Sequence, residues 1–265
     1  MDKNFILTSG NKVHYWIKKK NIKADTIVFT HGLTGDHSLF KKQIDLFSKD
    51  FNIITWDMPL HGLSIPYKDF SLRNAAKDLK LILEKENIQK VNLVGQSAGG
   101  FVNQAFVQMY PENVVSFIAL GSTPFGEKYY KNSELFWSEH YSEIASLIPY
   151  KLYCSLSAKA SCVSKEGQSI FYDCLLNLGK QNMKIATKAY YEDFRNYNEV
   201  KFNCPVLLLV GQYDKIGYVK RYNKMWAKKT NYPLIMIPKA GHGANLDNPS
   251  FFNKTLENFL KEKDC

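Results

Sequence analysis

Short apolar runs alternate along the chain with stretches in which apolar residues recur every three or four positions. The first pattern marks buried strands and the second amphipathic helices. Val91, Leu93 and Val94 form one run. Ala98, Phe101, Val102, Ala105, Phe106 and Met109 follow it at helical spacing, until Pro111 stops the helix. Asp25 to His31, Phe51 to Trp56, Val114 to Leu120, Cys204 to Gly211 and Tyr232 to Pro238 read as further strands. Between them the periodicity predicts helices from Ser38 to Ser48, with Phe40, Ile44 and Phe47 inward, and from Tyr218 to Lys229. Ser71 is placed to cap a helix whose stripe is Leu72, Ala75, Ala76, Leu79, Ile82 and Leu83. Asn248-Pro249 opens a last helix with Phe252, Leu256, Phe259 and Leu260 inward. At the front, Asn4 to Lys18 alternates as a hairpin around Ser9-Gly10-Asn11.

Apolar strands separated by helices at this spacing predict an α/β fold: a mostly parallel central sheet with helices on both faces. The alternation breaks after Gly121-Ser-Thr-Pro124, and no strand pattern returns before about Tyr197. That interval is helical in character and rich in aromatics, among them Phe125, Tyr129, Tyr130, Phe136, Trp137, Tyr141, Tyr150 and Tyr153. It is expected to be a helical cap inserted over the C-terminal edge of the sheet. The expected division is therefore a core of residues 1–123 and 198–265, with residues 124–197 as the cap, whose aromatics would sequester an apolar part of a substrate.

The chemistry gathers at strand ends. Gly95-Gln-Ser97-Ala-Gly99 lies between a predicted strand and a predicted helix. A strand-to-helix turn this tight needs small neighbours and exposes its central serine at a helix N-terminus, where negative charge is favoured. A serine hydroxyl is a weak nucleophile that needs a base, and the base needs an orienting acid. His242, between Gly241 and Gly243 after the last strand, is the candidate base, and Asp214, just past the strand ending at Gly211, the candidate acid. Asp57 also ends a strand, but its loop reads as a structural turn, and Asp247 reads as structural too. A tetrahedral oxyanion needs two donors. The backbone N–H groups of Ala98 and of Leu33, in the loop after the first buried strand, are placed to supply them, and His31 is read as ordering that loop.

Together, His31-Gly32, the loop Asp57-Met-Pro-Leu-His-Gly-Leu-Ser64, Gly95-Gln-Ser-Ala-Gly99, Gly211-Gln-Tyr-Asp214 and Gly241-His242 resemble the α/β-hydrolase superfamily. Among its branches the chain is most similar to capped, single-domain esterases, lipases and C–C bond hydrolases. The resemblance implies a serine hydrolase that cleaves a carboxylic ester, or a related acyl bond, of a small and partly apolar substrate, with no cofactor. Serine at position 97 sets the chain apart from relatives with an aspartate nucleophile. The same triad also serves C–C hydrolysis and acyl transfer, and a ligand-binding protein can keep it without turnover, so those classes stay open here.

Composition narrows the partners. The net charge is +10, but the basic residues are nearly all lysines dispersed along the chain, with arginine only at 73, 195 and 221. Nucleic-acid sites favour arginine forks interleaved with aromatics, so a nucleic-acid partner is not expected. Cys154, Cys162, Cys174, Cys204 and Cys265 are odd in number and lack pair spacing, which points to free thiols rather than disulfides or zinc. His14, His31, His37, His61, His140 and His242 show no ligand spacing, so no metal is expected. No apolar stretch approaches the roughly 20 residues of a membrane helix, and the N-terminal apolar segment is short for a signal peptide. A cytoplasmic location is the expectation.

Overall fold

A computed structural model describes residues 1–262; Cys265 lies outside the described residues. Eight strands form one sheet in the order β1-β2-β4-β3-β5-β6-β7-β8. The strands are β1 (Asp2–Thr8), β2 (Asn11–Lys18), β3 (Thr26–Thr30), β4 (Asn52–Trp56), β5 (Val91–Gln96), β6 (Val114–Leu120), β7 (Val206–Gly211) and β8 (Leu234–Ile237). β1 pairs antiparallel with β2, and β2 antiparallel with β4; every other pairing is parallel. The hairpin turn is the two residues Ser9 and Gly10, both at positive φ, the geometry that suits the twist of the flanking strands. β3, β4, β5 and β7 are buried at every position, as expected of parallel strands covered on both faces.

The helices are α1 (Lys41–Phe47), α2 (Leu72–Lys85), α3 (Ala98–Met109), α4 (Asn132–Ser146), α5 (Tyr150–Ser161), α6 (Lys165–Leu178), α7 (Lys180–Phe194), α8 (Val219–Thr230), α9 (Ala244–Asp247) and α10 (Pro249–Glu262). Two apolar clusters fill the faces of the sheet, one around α2 and α3 and the other around α1 and α10. The helix expected from Ser38 begins as a 3-10 turn over His37–Phe40, whose Asp36 side chain accepts the Ser38 N–H at 2.8 Å. Ser71 caps α2 as its position predicts, accepting the Asn74 N–H at 3.0 Å.

Between β6 and β7 the chain carries α4 to α7 and no strand. This stretch has its own small apolar cluster of Ala145, Tyr153, Cys154, Leu175, Leu178 and Met183. It is also sewn to the core: Tyr190 and Phe194 of α7 join the cluster of α2 and α3, and Phe171 of α6 joins the other. Its aromatics divide. Phe125, Tyr129 and Tyr153 are buried, and Phe125 stacks on Tyr197. Phe136, Trp137 and Tyr141 of α4 face solvent, at 51%, 60% and 42% exposure, so they do not fill an interior.

One polar residue sits inside the α2 stripe. Asp78 is buried, and the Tyr67 hydroxyl donates to its Oδ2 at 2.7 Å. Burial pushes its carboxyl up to about 6 from 3.8, against the weaker pull of the Tyr67 and Thr8 hydroxyls. A carboxyl whose folded value is raised binds its proton more tightly in the folded chain. Its contribution is therefore complete below the unfolded value and is lost as pH rises from about 3.8 through 6. Asp78→Asn keeps an acceptor for Tyr67 and cannot ionise. Urea unfolding from pH 4 to 7.5 should show the variant gaining on the native chain across that window, by roughly 2–3 kcal/mol at the top. A difference between the two that does not change with pH would refute the assignment.

Candidate active site

The loops at the C-terminal ends of β3, β5, β6, β7 and β8 converge, and the candidate residues lie on them. Ser97 occupies the turn between β5 and α3 with φ 51° and ψ −120°, a conformation L-residues rarely adopt. Its backbone N–H donates to the Leu120 carbonyl at 2.9 Å, which ties the turn to the end of β6. Its side chain stands at the N-terminus of α3, a helix with no capping side chain.

Asp214 and His242 are brought together by pairing between the loops after β7 and β8. Gln212 N–H donates to the Ile237 carbonyl and Tyr213 N–H to the Ala240 carbonyl, at 2.9 and 2.8 Å. His242 Nδ1 then lies 2.8 Å from Asp214 Oδ2, while Asp214 Oδ1 accepts the Ile216 N–H at 2.9 Å. Both side chains are buried. The carboxylate fixes Nδ1 as the protonated nitrogen and leaves Nε2 free to accept. Gly121, next to the residue that anchors Ser97, packs against this pair: a Cβ there would lie 3.1 Å from His242 Nδ1 and 3.5 Å from Asp214 Oδ2. Ser97, His242 and Asp214 thus surround one short piece of backbone, Leu120-Gly121. Among the described residues no hydrogen bond joins Ser97 to His242. Such bonds are often long before substrate binds.

Of the two candidate oxyanion donors, Ala98 follows Ser97 in the chain and Leu33 follows Gly32, which packs against Ser97. A Cβ on Gly32 would clash with Gln96 Oε1 and lie 3.1 Å from Ser97 Cβ, so glycine lets this loop press against the turn that carries Ser97. The N–H groups of Leu33 and Ala98 have no acceptor among the described residues. Two imidazoles set the Leu33 peptide. His31 Nδ1–H donates to the Gly32 carbonyl at 2.7 Å, and its Nε2 accepts the Met58 N–H at 3.0 Å. His61 Nδ1–H donates to the Pro59 carbonyl at 2.9 Å, and its Nε2 accepts the Thr34 N–H at 3.0 Å. Each ring must be neutral to do this. Burial lowers His31 and pushes His61 down to about 3, so both rings stay neutral in ordinary buffers. His31 orders the loop, in keeping with the sequence reading. His61 was not singled out there, because its partner lies on another loop and no local pattern marks it.

Asp57 is likewise engaged in holding loops. Oδ1 accepts the His37 N–H at 2.9 Å and faces His37 Nδ1 at 2.8 Å, and Oδ2 accepts the Leu63 N–H at 2.7 Å. Burial alone would raise its carboxyl. The His37 hydrogen bond and charge, helped by the Leu63 N–H, outweigh that and hold it below the ordinary value. It makes no contact with His242. The described residues contain no group of His, Cys, Asp and Glu that could hold a metal ion, and no helix long and apolar enough to cross a membrane. Cys154, Cys162, Cys174 and Cys204 are free thiols, and burial raises each of them.

Known proteins resemble this chain over most of its length. Residues 25–145 match the family described as alpha/beta hydrolase fold. The pimeloyl-[acyl-carrier protein] methyl ester esterase of Wigglesworthia glossinidia brevipalpis is 25% identical, over 89% of this chain and 93% of the esterase. An uncharacterized hydrolase of Bacillus subtilis (strain 168) is 24% identical, over 93% of this chain and 94% of its own. Among solved structures, a thermophilic esterase from Thermogutta terrifontis superposes with a TM-score of 0.81 at 17% identity, covering 99% of both chains.

Proposed function

We propose, from the premise that this chain belongs to the α/β-hydrolase superfamily, that it is a serine hydrolase of carboxylic esters working through an acyl-enzyme. The observation that carries the reading is the buried His242–Asp214 pair at 2.8 Å, packed on the backbone that also anchors Ser97. The esterase named in Wigglesworthia supports ester cleavage as the reaction.

In this reading Ser97 Oγ attacks the ester carbonyl and His242 Nε2 takes its proton. The ester C–O bond then breaks, and the leaving alcohol receives the proton from His242. Water, deprotonated by the same imidazole, releases the acid and restores Ser97. Asp214 holds the imidazole's tautomer and balances its positive charge. The Leu33 and Ala98 N–H groups donate to the oxyanion. General-base assistance contributes about 10²–10⁴ in rate, and an oxyanion donor roughly 10²–10³. No step needs a cofactor or metal. Residues 124–197 act as a cap over a core of 1–123 and 198–265, and the partner is a small acyl substrate. Phe101, on the helix that Ser97 opens, packs with Phe125 and Phe194, which supports an apolar setting for the acyl side.

The test is purified protein treated with a fluorophosphonate and, separately, with p-nitrophenyl esters graded by acyl length. Labelling confined to Ser97, together with hydrolysis of at least the short esters, is expected. Absence of both labelling and turnover would overturn the proposal.

A further inference from the structure

His242 stands on a loop that the helices between β6 and β7 hold in place. The amide before it, Gly241 N–H, donates to Asp247 Oδ2 at 2.8 Å. The same oxygen accepts the Val163 N–H at 2.9 Å, and Oδ1 accepts the Ser164 N–H at 2.8 Å. The amide after it, Gly243 N–H, donates to the Ser161 carbonyl at 2.8 Å. The candidate base is therefore bracketed by two anchored peptides, and both anchors lead to the junction of α5 and α6.

Packing tells the same story. A Cβ on residue 241 would lie 2.8 Å from the Ser161 carbonyl oxygen, and one on residue 243 would lie 2.6 Å from Cys162 Sγ and 2.8 Å from Phe171 Cε2. Gly243 has φ −83° and Gly241 is not in the left-handed region. Both positions need glycine for close approach to the junction, not for a turn. The junction is stiff in itself: the Ser164 side chain caps α6 by accepting the Gly167 N–H at 3.0 Å, and Gln168 Nε2 donates to the Cys162 carbonyl at 2.9 Å. Cys162 and Phe171 share one apolar cluster with Ala244 and Leu246 beyond His242.

We propose that Asp247 is a positioning residue for the base. One carboxylate, through three backbone amides, clamps the α5–α6 junction to the His242 loop and makes that part of the inserted segment a fixed buttress of the site. Any opening that admits substrate then hinges elsewhere than residues 161–164. The proposal rests on the serine-hydrolase reading above. A charged acceptor suits the task because bonds from amides to an ionised oxygen are the stronger kind. Displacing the base by about 1 Å is enough to cost roughly 10²-fold.

The test compares Asp247→Asn and Asp247→Ala with the native chain, normalising rates to sites titrated by fluorophosphonate. Glu166→Gln, which removes only a surface pair between Glu166 of α6 and Lys42 of α1, is the control. Asparagine keeps one acceptor oxygen but turns an N–H₂ towards amides, so it should lower kcat per titrated site about 10–100-fold with KM nearly unchanged. Alanine should lower it further; if alanine prevents folding, asparagine carries the test. Hydrogen exchange at Gly241, Val163 and Ser164 should quicken at least tenfold in the asparagine variant, and kcat in the control should equal the native value. A native kcat per site in Asp247→Asn, or a loss confined to the fraction of titratable sites, overturns the positioning role while leaving the serine-hydrolase reading intact. A native chain that is not labelled at Ser97 overturns both.

Discussion

Replacing Ser97 by alanine will lower ester turnover by about 10⁴-fold or more and abolish fluorophosphonate labelling. The variant should leave the melting temperature unchanged. Alanine keeps the Cβ that makes φ 51° and ψ −120° costly, and the Ser97 hydroxyl has no hydrogen bond to lose among the described residues. A residual rate above that of water should survive, because the Leu33 and Ala98 N–H groups remain. Ser97→Gly separates strain from chemistry. Glycine tolerates the observed dihedrals, so it should recover the roughly 1–3 kcal/mol stored there. That gain is offset by about 0.4–1 kcal/mol from the freer unfolded chain. The net effect, about 1 kcal/mol, corresponds to a melting temperature some 2–4 °C higher in a chain of this size. Glycine should be as inactive as alanine. Activity and stability moving in opposite directions at one residue would mark strain held for the sake of exposing a nucleophile. Continued labelling of either variant would mean that the nucleophile is another residue.

Much of this arrangement is legible in the sequence because parallel strands buried on both faces leave runs that are apolar at nearly every position. Val91 to Val94, Val114 to Leu120 and Val206 to Val210 stand out for that reason, and the sheet holds all three side by side. Once strands are known, loop residues at their C-terminal ends are known too, and Ser97, Asp214 and His242 fall there in the required chain order. What stayed hidden depends on side chains that reach distant backbone. The His61 bond to Thr34 and the Asp247 bonds to Val163 and Ser164 join segments far apart in the chain, and nothing in the local pattern announces them. Asp78 was invisible for a different reason: it lies on the buried side of an otherwise well-marked stripe, paired with a tyrosine on another segment. The aromatics between β6 and β7 were legible as residues but not as orientations. Tyr129 and Tyr153 turn inward and Phe136 and Trp137 outward, a split set by packing between helices rather than by composition.

Asp214 and Asp57 both lie just past strands, both are buried and both face a histidine, so substituting each by asparagine is the sharpest comparison the site offers. Asp214→Asn should cost about 10⁴-fold in kcat with folding intact. Asparagine can still accept the Ile216 N–H through its oxygen, which preserves the loop. Its N–H₂ then faces His242 Nδ1, which favours the tautomer with the proton on Nε2, where it cannot accept from Ser97. Asp57→Asn should act on stability instead. Its buried carboxylate accepts from the His37 N–H and the Leu63 N–H and pairs with the partly exposed His37 ring. Losing the charge there should cost on the order of 2–3 kcal/mol. The pH dependence gives an independent sign. Because the folded value of Asp57 is depressed, its contribution is present above the unfolded value of 3.8 and disappears as pH falls through the folded one. The native chain should therefore lose stability relative to Asp57→Asn below about pH 3.8, and the deficit of the variant should be full at neutral pH. Thermal melts and kcat per titrated site, measured on both variants, separate the roles. If Asp57→Asn melts like the native chain and loses turnover as Asp214→Asn is expected to, then the acid that orients His242 has been assigned to the wrong strand.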